Sequence, residues 1–180
     1  MNRLEKKYRK EIVPEMKKTL GFANDFEVPR ILKVVVNVGI GKLAREEKNQ
    51  ESVKTTLRRI TGQEPLLTKA KKSISNFKVR RGMVVGACVT LRRARMYDFL
   101  DKLVHATLPR VRDFRGLDTK NLDGHGNLNI GFKEHTVFPE VKSDEIETIH
   151  GLEVAIVTNA KTDEVAQALF ERLGFPFKKT

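Results

Sequence analysis

Between Pro65 and Tyr97 the chain carries nine lysines and arginines and neither an aspartate nor a glutamate. A segment so one-sided in charge cannot fold onto itself by ion pairing. Lys69, Lys71, Lys72, Lys78, Arg80, Arg81, Arg92, Arg93 and Arg95 repel one another unless an anionic partner lies against them. The polyanion that most often does so is nucleic acid; the plainer alternative is a solvated basic loop on a globular domain. The segment accounts for most of the excess in a chain whose formal net charge is +12. An anionic membrane surface also attracts such charge, but that use favours a basic amphipathic helix with bulky apolar anchors. Here the cations share a stretch with Ser73, Ser75, Asn76 and Gly82.

At 180 residues and 39% hydrophobic content, the chain is expected to bury one core and to form a single domain over residues 1–180. Leu4, Tyr8, Ile12, Met16 and Leu20 recur at helical spacing, with Pro14 opening a second turn and Gly21 ending it. Ile31 to Ile40 is short and β-branched, a strand apolar enough to be central. From about Arg45, Val53, Leu57 and Ile60 share a helical face that stops at Thr61-Gly62. Leu66 to Thr68 and Met83 to Leu91 read as strands flanking the basic loop. Met96, Phe99, Leu100, Leu103 and Val104 form a helical stripe closed by Pro109. Asp123 to Asn127 is turn-forming, Leu128 to Phe132 and Leu152 to Thr158 are strands, and Thr162 caps a helix that Gly174 ends. This order predicts an α+β fold: a mainly antiparallel sheet of about five strands in a ferredoxin-like or RNA-recognition-like arrangement, helices on one face and a long basic loop between two strands. The second face is left for a partner.

Catalytic chemistry finds little support. Gly39-Ile-Gly41-Lys-Leu-Ala44 fits the dinucleotide fingerprint and stands between a strand and a helix, which makes a cofactor-binding enzyme the rival reading. It lacks the acidic residue expected at the end of the second strand, because Glu64 precedes that strand and cations follow it. His105, His125, His135 and His150 have no metal-ligand spacing and read as surface or loop residues, and Cys88, alone in a strand, reads as a buried structural thiol. No metal, cofactor, small-molecule substrate or membrane is expected. The absence of a signal-like N-terminus and of any membrane-length apolar run points to the cytoplasm.

Three features favour nucleic acid over a merely solvated loop. Arg92, Arg93 and Arg95 start a helix, where the macrodipole disfavours cations. Ser73, Ser75 and Asn76 interleave with lysines as short hydrogen-bonding groups. The cations also flank the strand end at Thr90, so loop and sheet can share a surface. Phe77 and Tyr97 are the only aromatics in the acid-free window, too few to stack a single strand, so structured RNA read through shape and phosphates fits better. A stand-alone RNA or DNA chaperone remains a further possibility.

Several blocks carry a closer likeness. Val34-Val-Val-Asn-Val-Gly-Ile-Gly41, Ile60-Thr-Gly-Gln63, Thr68-Lys-Ala-Lys-Lys-Ser-Ile-Ser-Asn-Phe77, Val89-Thr-Leu-Arg92, Leu108-Pro-Arg-Val-Arg-Asp-Phe-Arg-Gly116, Phe138-Pro-Glu140 and Gly174-Phe-Pro-Phe-Lys178 occur in this order. Together they resemble the bacterial family of large-subunit ribosomal protein five over nearly the whole length. The resemblance implies a non-enzymatic protein that binds 5S ribosomal RNA and anchors it in the central protuberance. Its further implied partners are large-subunit ribosomal RNA, peptidyl-site transfer RNA, other 5S-associated proteins and a small-subunit head protein met across an intersubunit bridge. The residues matching the family's 5S contacts are Asn37, Gln63, Thr90 and Arg92. The loop matching the one that reaches transfer RNA carries Lys69, Lys71, Lys72, Ser73, Ser75, Asn76, Lys78, Arg80 and Arg81. Arg93, Arg95, Arg110, Arg112 and Arg115 are further RNA candidates. The chain departs from the family pattern at Leu122-Asp-Gly-His-Gly-Asn-Leu128, which lacks a cation and two aromatics, and at Glu64, where a lysine is common.

Overall fold

In the computed structural model of this chain, which describes residues 2–41, 47–141 and 148–178, the N-terminal apolar repeat becomes α1 (Arg3–Lys7), a π-helical turn (Tyr8–Ile12) and α2 (Val13–Leu20). Leu4, Ile12 and Met16 are buried, and the half-buried Tyr8 donates its hydroxyl to the Pro29 carbonyl at 3.0 Å. Leu20, the last member of the repeat, stays exposed. Pro14 directly follows the π-helical turn inside a helical run whose flanking residues Ile12 and Val13 stay right-handed, so its missing N–H falls where the helix is already widened.

β1 (Ile31–Gly39) is followed by α3 (Glu47–Thr61), β2 (Leu66–Lys69), β3 (Val84–Leu91), α4 (Arg93–Lys102), β4 (Leu128–Phe132), β5 (Leu152–Thr158) and α5 (Asp163–Leu173). The strands form one open antiparallel sheet in the order β2-β3-β1-β5-β4, with helices alongside. β1 is the central strand, as its composition suggests, yet it is buried on one face only. Val34, Val36 and Val38 are inaccessible, while Asn37 and Gly39 are exposed. The α+β expectation holds. The helix start expected at about Arg45 and the Lys42 to Ala44 part of the glycine motif lie outside the described residues.

The residues gather into two compact units. One takes the chain to Val34, Leu91–Ile130 and the chain from Ala155. Its core includes Met96, Phe99, Leu100 and Leu103 of the predicted stripe, together with Leu169, Phe170 and Leu173 of α5. The stripe runs beyond α4 through a π-helical turn (Leu103–Thr107) and a short turn (Leu108–Arg110) containing Pro109. The other unit takes Val35–Thr90 and Gly131–Val154, with Val53, Leu57, Ile60, Ala87, Val89 and Phe138 in its core.

β2 and β3 pair Leu66 with Cys88 and Thr68 with Gly86, with an irregularity at Thr68/Lys69. A Cβ on Gly86 would lie 2.8 Å from the Thr68 hydroxyl and 2.9 Å from the Val38 carbonyl, so only glycine admits this approach. Three local expectations need correction. Cys88 is half-exposed, because burial in β3 falls on Ala87, Val89 and Leu91. His135 and His150 are buried, with rings stacked at 4.0 Å and 5°. Thr162 occupies the N-cap position of α5, but its side chain bonds the Glu164 carboxylate instead of a helix amide.

Candidate nucleic-acid interface

The basic segment is an extension of the β2–β3 hairpin. The amide of Ala70 bonds the Met83 carbonyl at 2.8 Å, and Gly82 returns a bond to Ala70 at 2.9 Å. Further out, Ile74 and Val79 exchange both backbone bonds, at 2.9 and 3.1 Å. A single 3-10 turn, Ser75–Phe77, closes the tip, and Lys78 follows with φ of 53°. The Ser73 hydroxyl accepts the Arg81 amide at 3.0 Å, which ties the two arms together. Ser73 is thus a brace within the hairpin whose own O–H remains able to donate.

Every cation of the hairpin faces solvent: Lys69, Lys71, Lys72, Lys78, Arg80 and Arg81 are exposed. Among the described residues none of these six pairs with an aspartate or glutamate. Ser75 and Asn76 are exposed between them. Phe77 is 75% exposed, whereas Tyr97, the other aromatic of the window, is mostly buried, and that burial raises its pKa.

The face of β1 and β3 not used for the core holds Asn37, exposed, and Thr90, half-buried. The Gln63 amide donates to the Thr90 carbonyl at 3.2 Å, which seats Gln63 beside the end of β3. Its loop is set by Gly62, with φ of 65°, and by the Thr61 hydroxyl, which bonds back to the Leu57 carbonyl at 2.7 Å. Asn37, Gln63 and Thr90 therefore belong to one unit, and Arg92 follows Thr90 by two residues in the chain. The next residue after Gln63, Glu64, is held by Lys54 at 2.9 Å and Arg58 at 3.6 Å. The bond from Lys54 lowers the Glu64 pKa, so its negative charge turns back toward α3. Leu66 is 69% exposed, a surface position that its apolar identity does not announce. The period of two in β2 places it on the same side as Thr68, and that parity is the only sequence signal that separates it from a core leucine.

In the other unit, Arg92, Arg93 and Arg95 are exposed around the start of α4. Arg92 is its N-cap without a side-chain bond to a helix amide, Arg93 takes φ of 54°, and no acidic residue stands in the first turn. Cations there are disfavoured by about 0.3 to 1 kcal/mol each, an effect that a bound phosphate reverses. Arg110, Arg112 and Arg115 are exposed on a segment pinned at its ends by the buried Leu108 and Leu117. The Leu117 amide bonds the Pro176 carbonyl at 2.7 Å.

The Asp123–Asn127 turn has the opposite character. Asp123 accepts the amides of His125 at 2.9 Å and Asn127 at 3.1 Å, and takes the Asn127 side-chain amide at 2.7 Å. Asp163 of α5 accepts Gly124 at 3.0 Å and Gly126 at 2.8 Å. Asn127 in turn accepts the Thr158 amide at 3.0 Å. Among the described residues, no cluster of three or more His, Cys, Asp and Glu residues is arranged to hold a metal, and no helix is long and apolar enough to cross a membrane.

Comparison with known proteins gives the family. The family model of the ribosomal L5 family C-terminus matches residues 84–177, and that of ribosomal protein L5 matches residues 24–80. The large ribosomal subunit protein uL5 of Caldanaerobacter subterraneus subsp. tengcongensis is 50% identical over 179 residues, covering 99% of this chain and 100% of the relative. The protein of that name from Desulforapulum autotrophicum is 52% identical over 178 residues, 99% of each chain. The one from Thermus thermophilus is 50% identical over 176 residues, 98% of this chain and 97% of its own. On full-length identity of this order, with both family models matched in sequence order, the chain belongs to the ribosomal protein L5 family.

Proposed function

We propose that the chain binds 5S ribosomal RNA through Asn37, Gln63 and Thr90 on the uncovered sheet face, together with Arg92. The basic hairpin from Lys69 to Arg81 reaches peptidyl-site transfer RNA and large-subunit ribosomal RNA. As a member of its family the chain is a non-enzymatic constituent of the large ribosomal subunit in the cytoplasm. The dinucleotide reading of Gly39 and Gly41 falls with that membership, and the antiparallel sheet lacks the parallel βαβ unit such a motif needs. In this reading residues 1–180 act as one RNA-binding domain. Arg93, Arg95, Arg110, Arg112 and Arg115 add phosphate contacts, and the chain also meets the small-subunit head protein and the other proteins around 5S RNA.

The observation that carries the proposal is the set of six exposed hairpin cations without an internal acidic partner, on the same unit as the exposed Asn37. Charges left unpaired by their own chain are suited to phosphate. The test is a titration with 5S ribosomal RNA at physiological salt, competed by unrelated duplex RNA and duplex DNA. Binding that survives both competitors and is crippled in Asn37→Ala/Thr90→Val, with the melting temperature unchanged, is expected. Equal displacement by all competitors would leave only a generic basic patch, as in a nucleic-acid chaperone. Salt sensitivity alone does not discriminate, because any binder neutralising about six to ten phosphates loses roughly a thousandfold or more between about 50 and 200 mM salt.

A further inference from the structure

Phe77 is the one large aromatic that the hairpin turns outward. It is 75% exposed at the end of a 3-10 turn. Its position is set by backbone bonds on either side, from Lys78 to Ser75 at 2.9 Å and between Ile74 and Val79. Lys78 holds φ of 53°, a left-handed conformation that disfavours any residue but glycine. Ordered backbone and a local cost are therefore concentrated where an apolar ring is left in water, and nothing in the hairpin's own packing uses that ring. Along the hairpin the ring falls between Lys71 and Lys72 on one arm and Lys78, Arg80 and Arg81 on the other, with no acidic residue from Pro65 to Tyr97. RNA complements the cations, the neutral donors Ser75 and Asn76 and the ring together, through phosphates, polar edges and base faces.

We propose that Phe77 is a stacking platform for a single unpaired or terminal base of a structured RNA, with the flanking cations gripping the phosphates beside it. The proposal rests on the reading of the hairpin as an RNA contact, and it adds what that contact recognises. One platform selects one base face, so the ligand is a fold that presents such a face, as opposed to a continuous single strand.

The chain contains no tryptophan, so Phe77→Trp in the full-length protein creates a lone fluorescent reporter at this position. Titrating it with transfer RNA is expected to quench its emission while affinity stays within about twofold of the parent. Phe77→Leu, apolar but without a π face, is expected to bind about tenfold more weakly with an unchanged melting temperature. If Phe77→Leu binds like the parent and the indole of Phe77→Trp is not quenched, while replacing Lys71, Lys72, Arg80 and Arg81 still weakens binding, the stacking role is wrong and the hairpin reading stands. If the four-cation variant also binds like the parent, the hairpin reading fails and the stacking role with it.

Discussion

The hairpin spanning residues 70–83 and the turn from Asp123 to Asn127 are both glycine-containing and polar, but their polar groups face different ways. In the turn, the Asp123 and Asp163 carboxylates take up the amides of Gly124, His125, Gly126 and Asn127, and Asn127 completes the arrangement on Thr158. Gly126 fits so closely that a Cβ would lie 2.9 Å from the Ala160 carbonyl, at a φ of 79° no side chain favours. In the hairpin, backbone bonds tie the two arms together, but the side-chain charges stay unpaired within it. A polar loop whose groups are consumed by its own chain is part of the scaffold. One whose backbone is closed and whose charges remain open is preorganised for something outside. The scaffold role in this turn falls to Asp123, Asn127 and Asp163, and the side chain of His125 between them stays exposed.

The largest effect should come from the open side of this contrast. Replacing Lys71, Lys72, Arg80 and Arg81 with alanine is expected to lower affinity for transfer RNA on the order of a hundredfold and to flatten the log-log salt dependence by about three. Affinity for 5S RNA should fall less, and thermal unfolding should hardly move. A comparable loss for both RNAs would undo the division between hairpin and sheet face, and a lower midpoint would mean the cations do hold the fold.

The closed side is probed by Asp163→Ala, which strips acceptors from two glycine amides at the start of α5. Calorimetry should record a loss of about 2 to 3 kcal/mol, with RNA affinity intact below the midpoint. Asp163→Asn, which keeps one acceptor oxygen, should recover part of the loss. Unchanged stability would show that the turn does not depend on that carboxylate.

A third, intermediate effect concerns the stacked histidines. Burial, followed by the neighbouring His135, pulls the His150 pKa down to about 4, against a bond to the Gly151 carbonyl that raises it. Burial lowers His135 as well. The unfolded chain therefore binds protons that the folded chain does not, and stability present above about pH 6.5 should decline as pH falls toward 4. Melting temperatures measured across that window should drop by several degrees, and His135→Phe/His150→Phe should flatten the profile. An equally steep profile in the double variant would assign the acid sensitivity to other groups.

The smallest effect sharpens the contrast at its border. Glu64→Lys releases Lys54 and Arg58 from an exposed ion pair and adds a cation beside Gln63. Affinity for 5S RNA should rise a fewfold, with the salt slope steeper by about one to two. No change would place Glu64 outside the contact.

Much of this is legible in the residues alone. β4 and β5 match their expected limits because turn residues bound a short apolar alternation at each end. The acid-free window marks the hairpin because charge is a composition signal that needs no partner. What escapes depends on residues remote from one another or on parity. His135 and His150 are fifteen positions apart across a stretch of weak periodicity, so nothing local announces their stacking. Cys88 looks buried among β-branched neighbours, yet it shares the parity of Thr90 and faces away from the core. Thr162 has the right identity for a cap, but Glu164 competes for its hydroxyl. The order of the hairpin rests on backbone bonds such as Ile74 to Val79, which side-chain identity does not encode.

The absence of a side chain at Gly86 also works as a ruler. Thr68 sits opposite that position. A slip of one residue would bring Val85 or Ala87 under its hydroxyl and turn the side chains of β2 to the wrong side of the sheet. Misaligned hairpins are thus penalised while the strands zip, and the hairpin tip is measured out at a fixed distance from the core in every copy that folds. For a particle assembled from many components, such reproducible length matters as much as affinity.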